Sequence, residues 1–263
     1  VKPTIVKLGG SVITRKEKAF TPNRPAINRL AEELAEAQLP SLILIHGGGS
    51  FGHPVARKYR IVEGYTGPGQ RIGFAKTRQA MMTLNQLVID AFVRQALPVV
   101  AVQPSACMTT KGGRLHHFDV TVLHHFLRLG FIPVLYGDAV IDLDTGVTIL
   151  SGDQLAAALA TAFHAEQTVI AVDVDGLFTD DPKVNPNATL IPRISLEGVK
   201  GLLNRIDEAK TVDVTQGMRG KITALIPAVA CGSQIDLVNA SVAGRLAKAL
   251  KGEKVTGTKI TRE

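Results

Sequence analysis

The sequence predicts an α/β fold: a three-layer α/β/α sandwich around a mostly parallel central sheet. Two observations carry this expectation. Short apolar runs alternate along the chain with amphipathic stretches, as when parallel strands are joined by crossover helices that cover both faces. The residues directly after those runs are rich in glycine, and in such sheets ligands sit beyond the carboxyl ends of the strands. With 263 residues, 45% of them hydrophobic, the chain is long enough to bury one large core.

Residues 4–8 read as a strand running straight into Gly9-Gly10-Ser11. Over 28–37, Leu30, Ala31 and Leu34 share a face away from Glu32, Glu33 and Glu36, the spacing of a helix. Residues 41–46 form a continuous apolar strand that ends at a glycine cluster. Met81, Leu84, Val88 and Phe92 mark a helix over 75–96. A strand over 98–102, a helix over 120–129 and a strand over 132–135 follow. Val140-Ile141 and Val147-Thr148-Ile149 flank Asp144-Thr145-Gly146, which predicts a hairpin. Helices over 154–163, 222–230 and 242–250 alternate with strands over 169–172 and 235–238, and 255–260 suits an edge strand.

Composition removes several classes. Thirty Lys and Arg against 23 Asp and Glu leave a net charge of +7, which points to an anionic partner: nucleic acid, an acidic membrane surface or phosphorylated small molecules. Aromatic residues make up only 5% and Trp is absent, against the stacking platforms of single-strand binders. No apolar run approaches the roughly 18 residues of a membrane span, and residues 1–10 lack the pattern of a signal peptide. Cys107 and Cys231 stand far apart without Cys or His at metal-ligand spacing, so a reducing cytoplasm is the expected setting. His116-His117 and His124-His125 look like a metal site, but pairs eight apart on a helix lie more than two turns from each other. No protein-bound metal is expected.

The chemistry is expected in the loops after the strands: Gly9-Gly10-Ser11, Gly47-Gly48-Gly49-Ser50, Gly137-Asp138, Asp173-Val174-Asp175-Gly176 and Asn239-Ala240. A glycine after a strand is usually a tight turn, but two clusters this dense in one sheet read as phosphate cradles. Gly47 to Gly52 satisfies G-x-G-x-x-G only because consecutive glycines satisfy many patterns. No strand ending in an acid follows about 20 residues on, as a dinucleotide site requires. A Walker A sequence and the protein-kinase motifs are absent. What remains is lysine set against glycine: Lys7 inside an apolar strand, Lys16 in a polar loop, and Lys221 after Gly217-Met218-Arg219-Gly220. A lone lysine is ordinarily a solvated surface residue, but Lys7 would need an anionic partner if buried.

Lys7-Leu8-Gly9-Gly10-Ser11, the segment His46 to Pro54, Ser151-Gly152-Asp153, Asp173-Val174-Asp175-Gly176 and the segment Asp213 to Lys221 together resemble the amino acid kinase superfamily. Within it they are most similar to the isopentenyl phosphate kinase family. The first and fourth elements are superfamily-wide; Gly-Ser-Phe-Gly-His-Pro, Gln103-Pro104-Ser105 and Ser-Gly-Asp are more specific. Gln216 and Val172 depart from residues frequent in the family, glycine and threonine. The resemblance implies ATP-dependent conversion of isopentenyl phosphate to isopentenyl diphosphate, within the alternative mevalonate route to isoprenoids. It implies an N-terminal lobe, 1–165, for the acceptor phosphate and a C-terminal lobe, 166–263, for the nucleotide, sharing one continuous sheet.

By the same resemblance, Lys7 sits between the two phosphates and Lys16 stabilises the transferred phosphoryl group. Gly9, Gly10, Ser11 and Gly49 cradle ATP, with Asp173, Gly217 and Lys221 in the nucleotide site. Gly48, His53 and Gly152 hold the acceptor phosphate, and Asp153 orients the lysines. Without the motif, His53 would read as a turn or helix-capping histidine. Mg²⁺ is implied through the ATP phosphates, and a homodimer as the assembly, with neither nucleic acid nor membrane as partner. Phe74, Ala75, Arg78, Met81 and Met82, with Val140 or Ile141, are expected to wall the acceptor's aliphatic tail, although such residues usually pack a core. The rival within the fold is another acceptor, such as fosfomycin. The rival of another class is a basic nucleic-acid binder using Arg57-Lys58-Tyr59-Arg60 and Arg245, Lys248 and Lys251, residues that read more simply as solvated helix faces.

Overall fold

In the computed structural model, which describes residues 2–180, 185, 187–208 and 216–263, the chain enters on β1 (Thr4–Leu8), almost wholly buried. It continues through α1 (Gly10–Ile13), α2 (Arg24–Ala37), β2 (Leu42–His46) and α3 (Gly49–Lys58). A short 3₁₀ turn leads into α4 (Gly69–Arg94), β3 (Val99–Ala101) and α5 (Pro104–Cys107). Next come β4 (Met108–Lys111), β5 (Arg114–Phe118), α6 (Thr121–Arg128), β6 (Ile132–Tyr136), β7 (Asp138–Asp142) and β8 (Gly146–Leu150). Beyond α7 (Gly152–Ala162) and β9 (Gln167–Val172) lie β10 (Leu177–Phe178), β11 (Leu190–Ile191), β12 (Arg193–Ser195) and α8 (Leu196–Glu208). The chain ends with α9 (Gln216–Ala230), β13 (Gln234–Asn239), α10 (Arg245–Leu250) and β14 (Gly257–Thr261).

Among the described residues the central sheet has the order β12-β14-β13-β9-β1-β2-β6-β3. Its pairs are parallel except β13 with β14. Successive side chains on a strand point to opposite faces, and the core divides accordingly. Ile5, Ile43, Ile45, Leu135, Ile170 and Leu237 pack beneath α6, α7 and α9. Val6, Leu8, Leu44, Val134, Ala171 and Val238 pack against α2, α4 and α10. The three-layer sandwich is therefore present, and β9 beside β1 joins the two halves of the chain in one sheet.

Several elements differ from the sequence expectation for identifiable reasons. Residues 255–260 do not form an edge: β14 lies inside the sheet because the short β12 pairs along its outer side. The hairpin at Asp144-Thr145-Gly146 is present, but it belongs to a second sheet, β5-β4-β7-β8. The weakly apolar Met108–Lys111 and Arg114–Phe118 signalled no strand on their own. Helix α3 is absent from the sequence expectation, and Pro54 lies inside it. A proline removes an N–H that would bond the carbonyl four residues back, and here that carbonyl, on Ser50, accepts from the Phe20 N–H at 2.9 Å instead.

Candidate active site

Lys7 is the penultimate residue of β1, so strand alternation turns it toward the α7 and α9 layer. It is only 4% exposed. An ammonium this deep needs a counter-charge, and Asp153, in the first turn of α7, provides one at 2.9 Å from Lys7 Nζ. The other Asp153 oxygen accepts from Lys221 Nζ of α9 at 3.0 Å. One carboxylate thus joins two lysines that are 214 positions apart in the chain. Burial lowers the Lys7 pKa to about 8; Asp153 opposes that shift and Lys221 adds to it. Burial works to raise the Asp153 pKa, but the two lysines outweigh it and leave it below the ordinary carboxylate value.

Gly152 makes room for this arrangement. A Cβ there would stand 3.3 Å from Lys7 Cε and 3.2 Å from the His46 carbonyl oxygen. Ser151 caps α7 by accepting from Gln154 N, and Gln154 accepts in return from Ser151 N, a capping box. The expected phosphate loops after β1 and β2 lie back to back. A Cβ on Gly10 would fall 2.7 Å from the Gly49 Cα, and Gly49 itself has φ +46°, a left-handed conformation that favours glycine. Buried Thr14 locks the two loops together, donating to Gly10 O and accepting from Ser50 N at 2.9 Å. Sequence reasoning missed Thr14, because its partner lies 36 residues away.

Helix starts leave N–H groups without intrahelical partners. Here α1, α3 and α7 all begin at the carboxyl edge of β1 and β2. Among the described residues, the N–H groups of Gly10, Ser11, Gly48, Gly49, Gly152 and Asp153 make no hydrogen bond. These donors, with Lys7 and Lys221, form a positively polarised cleft floor suited to anions.

His53 lies in α3, and its Cδ2 would be 3.3 Å from a Cβ on Gly48. Its pKa is lowered, first by lost hydration and then by Lys7, Arg57 and Lys221, with Asp153 opposing. Lys16, exposed, donates to Asp173 Oδ2 at 2.8 Å. Burial works to raise the Asp173 pKa, and its bonds from Lys16 and Ser11 outweigh it, leaving that pKa below the ordinary value. Gly9 N donates to Ala171 O at 2.8 Å, tying the first loop to β9. Gly217 is the second residue of α9, while Asp213, Val214 and Thr215 lie outside the described residues.

Of the residues expected to wall the tail, Phe74 and Ile141 line a common cavity. Tyr65, Gln70, Phe74, Ile141 and Val147 line a largely apolar cavity of about 340 Å³. Met81 is buried, and its Sδ would be 3.2 Å from a Cβ on Gly48. Met82, half exposed, and Val140, fully buried, are not among the residues lining this cavity. His116 and His117 stand on β5, a strand rather than the helix assumed for them. Among the described residues no three His, Cys, Asp or Glu converge as metal ligands. The basic residues considered for nucleic acid are partly paired locally: Arg245 with Asp175, Lys251 with Glu36 and Arg60 with Glu63. No helix among the described residues is long and apolar enough to cross a membrane.

Residues 2–239 match the model of the amino acid kinase family. The chain is 39% identical to the isopentenyl phosphate kinase of Methanothermobacter thermautotrophicus, over 98% of each chain. A solved isopentenyl phosphate kinase superposes with TM-score 0.87 at 37% identity, covering 98% of this chain and 99% of the other. The product complex of the Thermoplasma acidophilum isopentenyl phosphate kinase superposes with TM-score 0.80 at 29% identity, with the same coverage.

Proposed function

The chain belongs to the amino acid kinase family, and from that premise we propose that it is a phosphotransferase converting isopentenyl phosphate and ATP to isopentenyl diphosphate and ADP. The relatives with which it shares up to 39% identity carry that activity in their names. The single structural observation behind the reading is the cleft floor: two lysines on one carboxylate, ringed by free N–H groups of three helix starts.

The chemistry explains why such a floor suffices. A phosphate monoester has its second pKa near 6, so at neutral pH its oxygen is already a nucleophile and no general base is needed. That oxygen attacks the γ-phosphorus, the bond from phosphorus to the β–γ bridging oxygen breaks, and ADP leaves. The obstacle is repulsion between two anions, so catalysis consists of positioning and neutralisation. In this reading Lys7 lies between the phosphates and Lys16 leaves Asp173 to meet the transferred group. Gly9, Gly10, Ser11, Gly49, Asp173, Gly217 and Lys221 hold ATP. Gly48, His53 and Gly152 hold the acceptor phosphate, and Asp153 fixes Lys7 and Lys221. His53 offers a ring N–H to that phosphate.

Magnesium, when bound, neutralises charge on the phosphates. Each Asp153 oxygen already faces a lysine, while Asp173 and Asp175 are held by Lys16 and Arg245. This set fits an ion carried on the oxygens of ATP rather than one caged by protein. The reading assigns the acceptor to residues 1–165 and the nucleotide to 166–263, in a cytoplasmic homodimer. The free thiols of Cys107 and Cys231 accord with a reducing compartment. Phosphorus NMR of ATP mixed with isopentenyl phosphate and enzyme tests the activity. The monoester resonance should give way to a coupled pair from the diphosphate, and its persistence would reject the reading.

A further inference from the structure

His46, the last residue of β2, is fully buried and has no role in the transfer described above. Its ring stacks on Tyr136, with centroids 5.4 Å apart and planes at 23°. Nδ1 lies 3.1 Å from the carbonyl oxygen of Gly47, and Nε2 lies 3.1 Å from Oδ1 of Asn85 on α4. Burial, with Lys7 nearby, holds the ring neutral at physiological pH, its pKa lowered to about 4. A neutral imidazole carries one proton. The Gly47 carbonyl can only accept, whereas a carboxamide can present either its oxygen or its NH₂ group. The arrangement that satisfies both contacts puts the proton on Nδ1, facing Gly47, with the Asn85 carboxamide turned over so that its NH₂ takes the place of Oδ1 and donates to Nε2.

The carbonyl so held belongs to the same planar peptide as the Gly48 N–H. In a trans peptide these two groups point in opposite directions, so fixing one aims the other. The Gly48 N–H is one of the donors that make no hydrogen bond within the described protein. Glycine on both sides leaves this peptide little intrinsic preference for one orientation. We propose that His46 is a positioning residue which, braced by Asn85, orients the Gly47–Gly48 peptide so that its N–H points at the acceptor phosphate. Because Asn85 lies on the helix that also carries Phe74 of the apolar cavity, the brace links the tail-binding helix to the phosphate loop. The role rests on the acceptor site proposed above.

His46→Asn and His46→Gln separate the two ring nitrogens, since the Asn amide falls near Nδ1 and the Gln amide near Nε2. His46→Asn should keep kcat/KM for isopentenyl phosphate within about threefold of wild type. His46→Gln should lower it at least tenfold, with KM for ATP unchanged within about threefold. Asn85→Leu, which frees the ring without altering it, should act in the same direction as His46→Gln. Equal kinetics in all variants would overturn the proposal. So would a parallel loss in both His46 variants with KM for ATP rising alongside, because that marks a general packing role. Should His46→Gln not fold, Asn85→Leu decides alone, unchanged acceptor kinetics counting against the brace. Imidazole ¹⁵N shifts of the wild-type protein give a readout independent of substrate: the Nδ1–H tautomer is expected, and Nε2–H would overturn the proposal. Failure of wild type to turn over isopentenyl phosphate would instead reject the acceptor reading itself.

Discussion

Lys7 interrupts an apolar strand, and that anomaly made it visible in the sequence before any partner was known. Its counter-charge, Asp153, was indicated by resemblance alone, because the two meet only after the chain has passed through β2 and β6 and entered α7. With its pKa lowered by burial to about 8, Lys7 in the free enzyme loses its proton as the pH rises through that value. An anion-binding ammonium is then lost, so kcat/KM should fall above about pH 8, approaching tenfold per unit. In Asp153→Asn the influence raising that pKa is gone, so the inflection should move to lower pH; a profile unmoved by this change would dissociate Lys7 from the limb. His53→Ala should raise KM for the acceptor phosphate and depress turnover while calorimetric ATP affinity stays nearly constant. The roles of Thr14, His46 and Asn85 escaped sequence reasoning because each depends on a partner more than 30 residues away.

At the scale of elements, periodicity found the long helices and the buried strands, because burial writes its period into the residues. It failed where tertiary contacts decide. The Ser50 carbonyl freed by Pro54 found Phe20, and β14 was enclosed by a strand of three residues. Helix α10 shows the same dependence. It has six residues, too few to be stable alone, and its N-terminal region is held by buried Glu33 of α2. That carboxylate accepts from the N–H groups of Gly244, Leu246 and Ala247 and pairs with Arg29. Glu33→Ala leaves these donors unpaired and strips the part-buried Arg29 guanidinium of its counter-charge, with only its bond to the Ala240 carbonyl remaining, and should cost about 3 kcal/mol of stability. Denaturant titration should record that loss, while the folded fraction keeps its KM for the acceptor. An unchanged midpoint would show that α10 holds itself.

For the whole molecule, the net charge of +7 left nucleic acid, membrane and small phosphates equally open, since composition carries no positions. Topology supplies them. Parallel strands bring Lys7, the glycine loops and the start of α7 to one edge, and α9 adds Lys221. The remaining positive charge should steer anions toward that edge, so kcat/KM for the acceptor should fall roughly threefold as ionic strength rises from low to physiological values. A rate independent of salt would remove steering from the account. The family's fold was readable from the order of strands and glycines, while the acceptor depended on resemblance at Gly-Ser-Phe-Gly-His-Pro and on the comparisons. The most direct test of the central claim is therefore the initial rate of ADP formation with isopentenyl phosphate, dimethylallyl phosphate, fosfomycin, uridylate and glutamate as separate acceptors. The highest kcat/KM is expected for isopentenyl phosphate; turnover confined to fosfomycin, uridylate or glutamate would overturn the assignment.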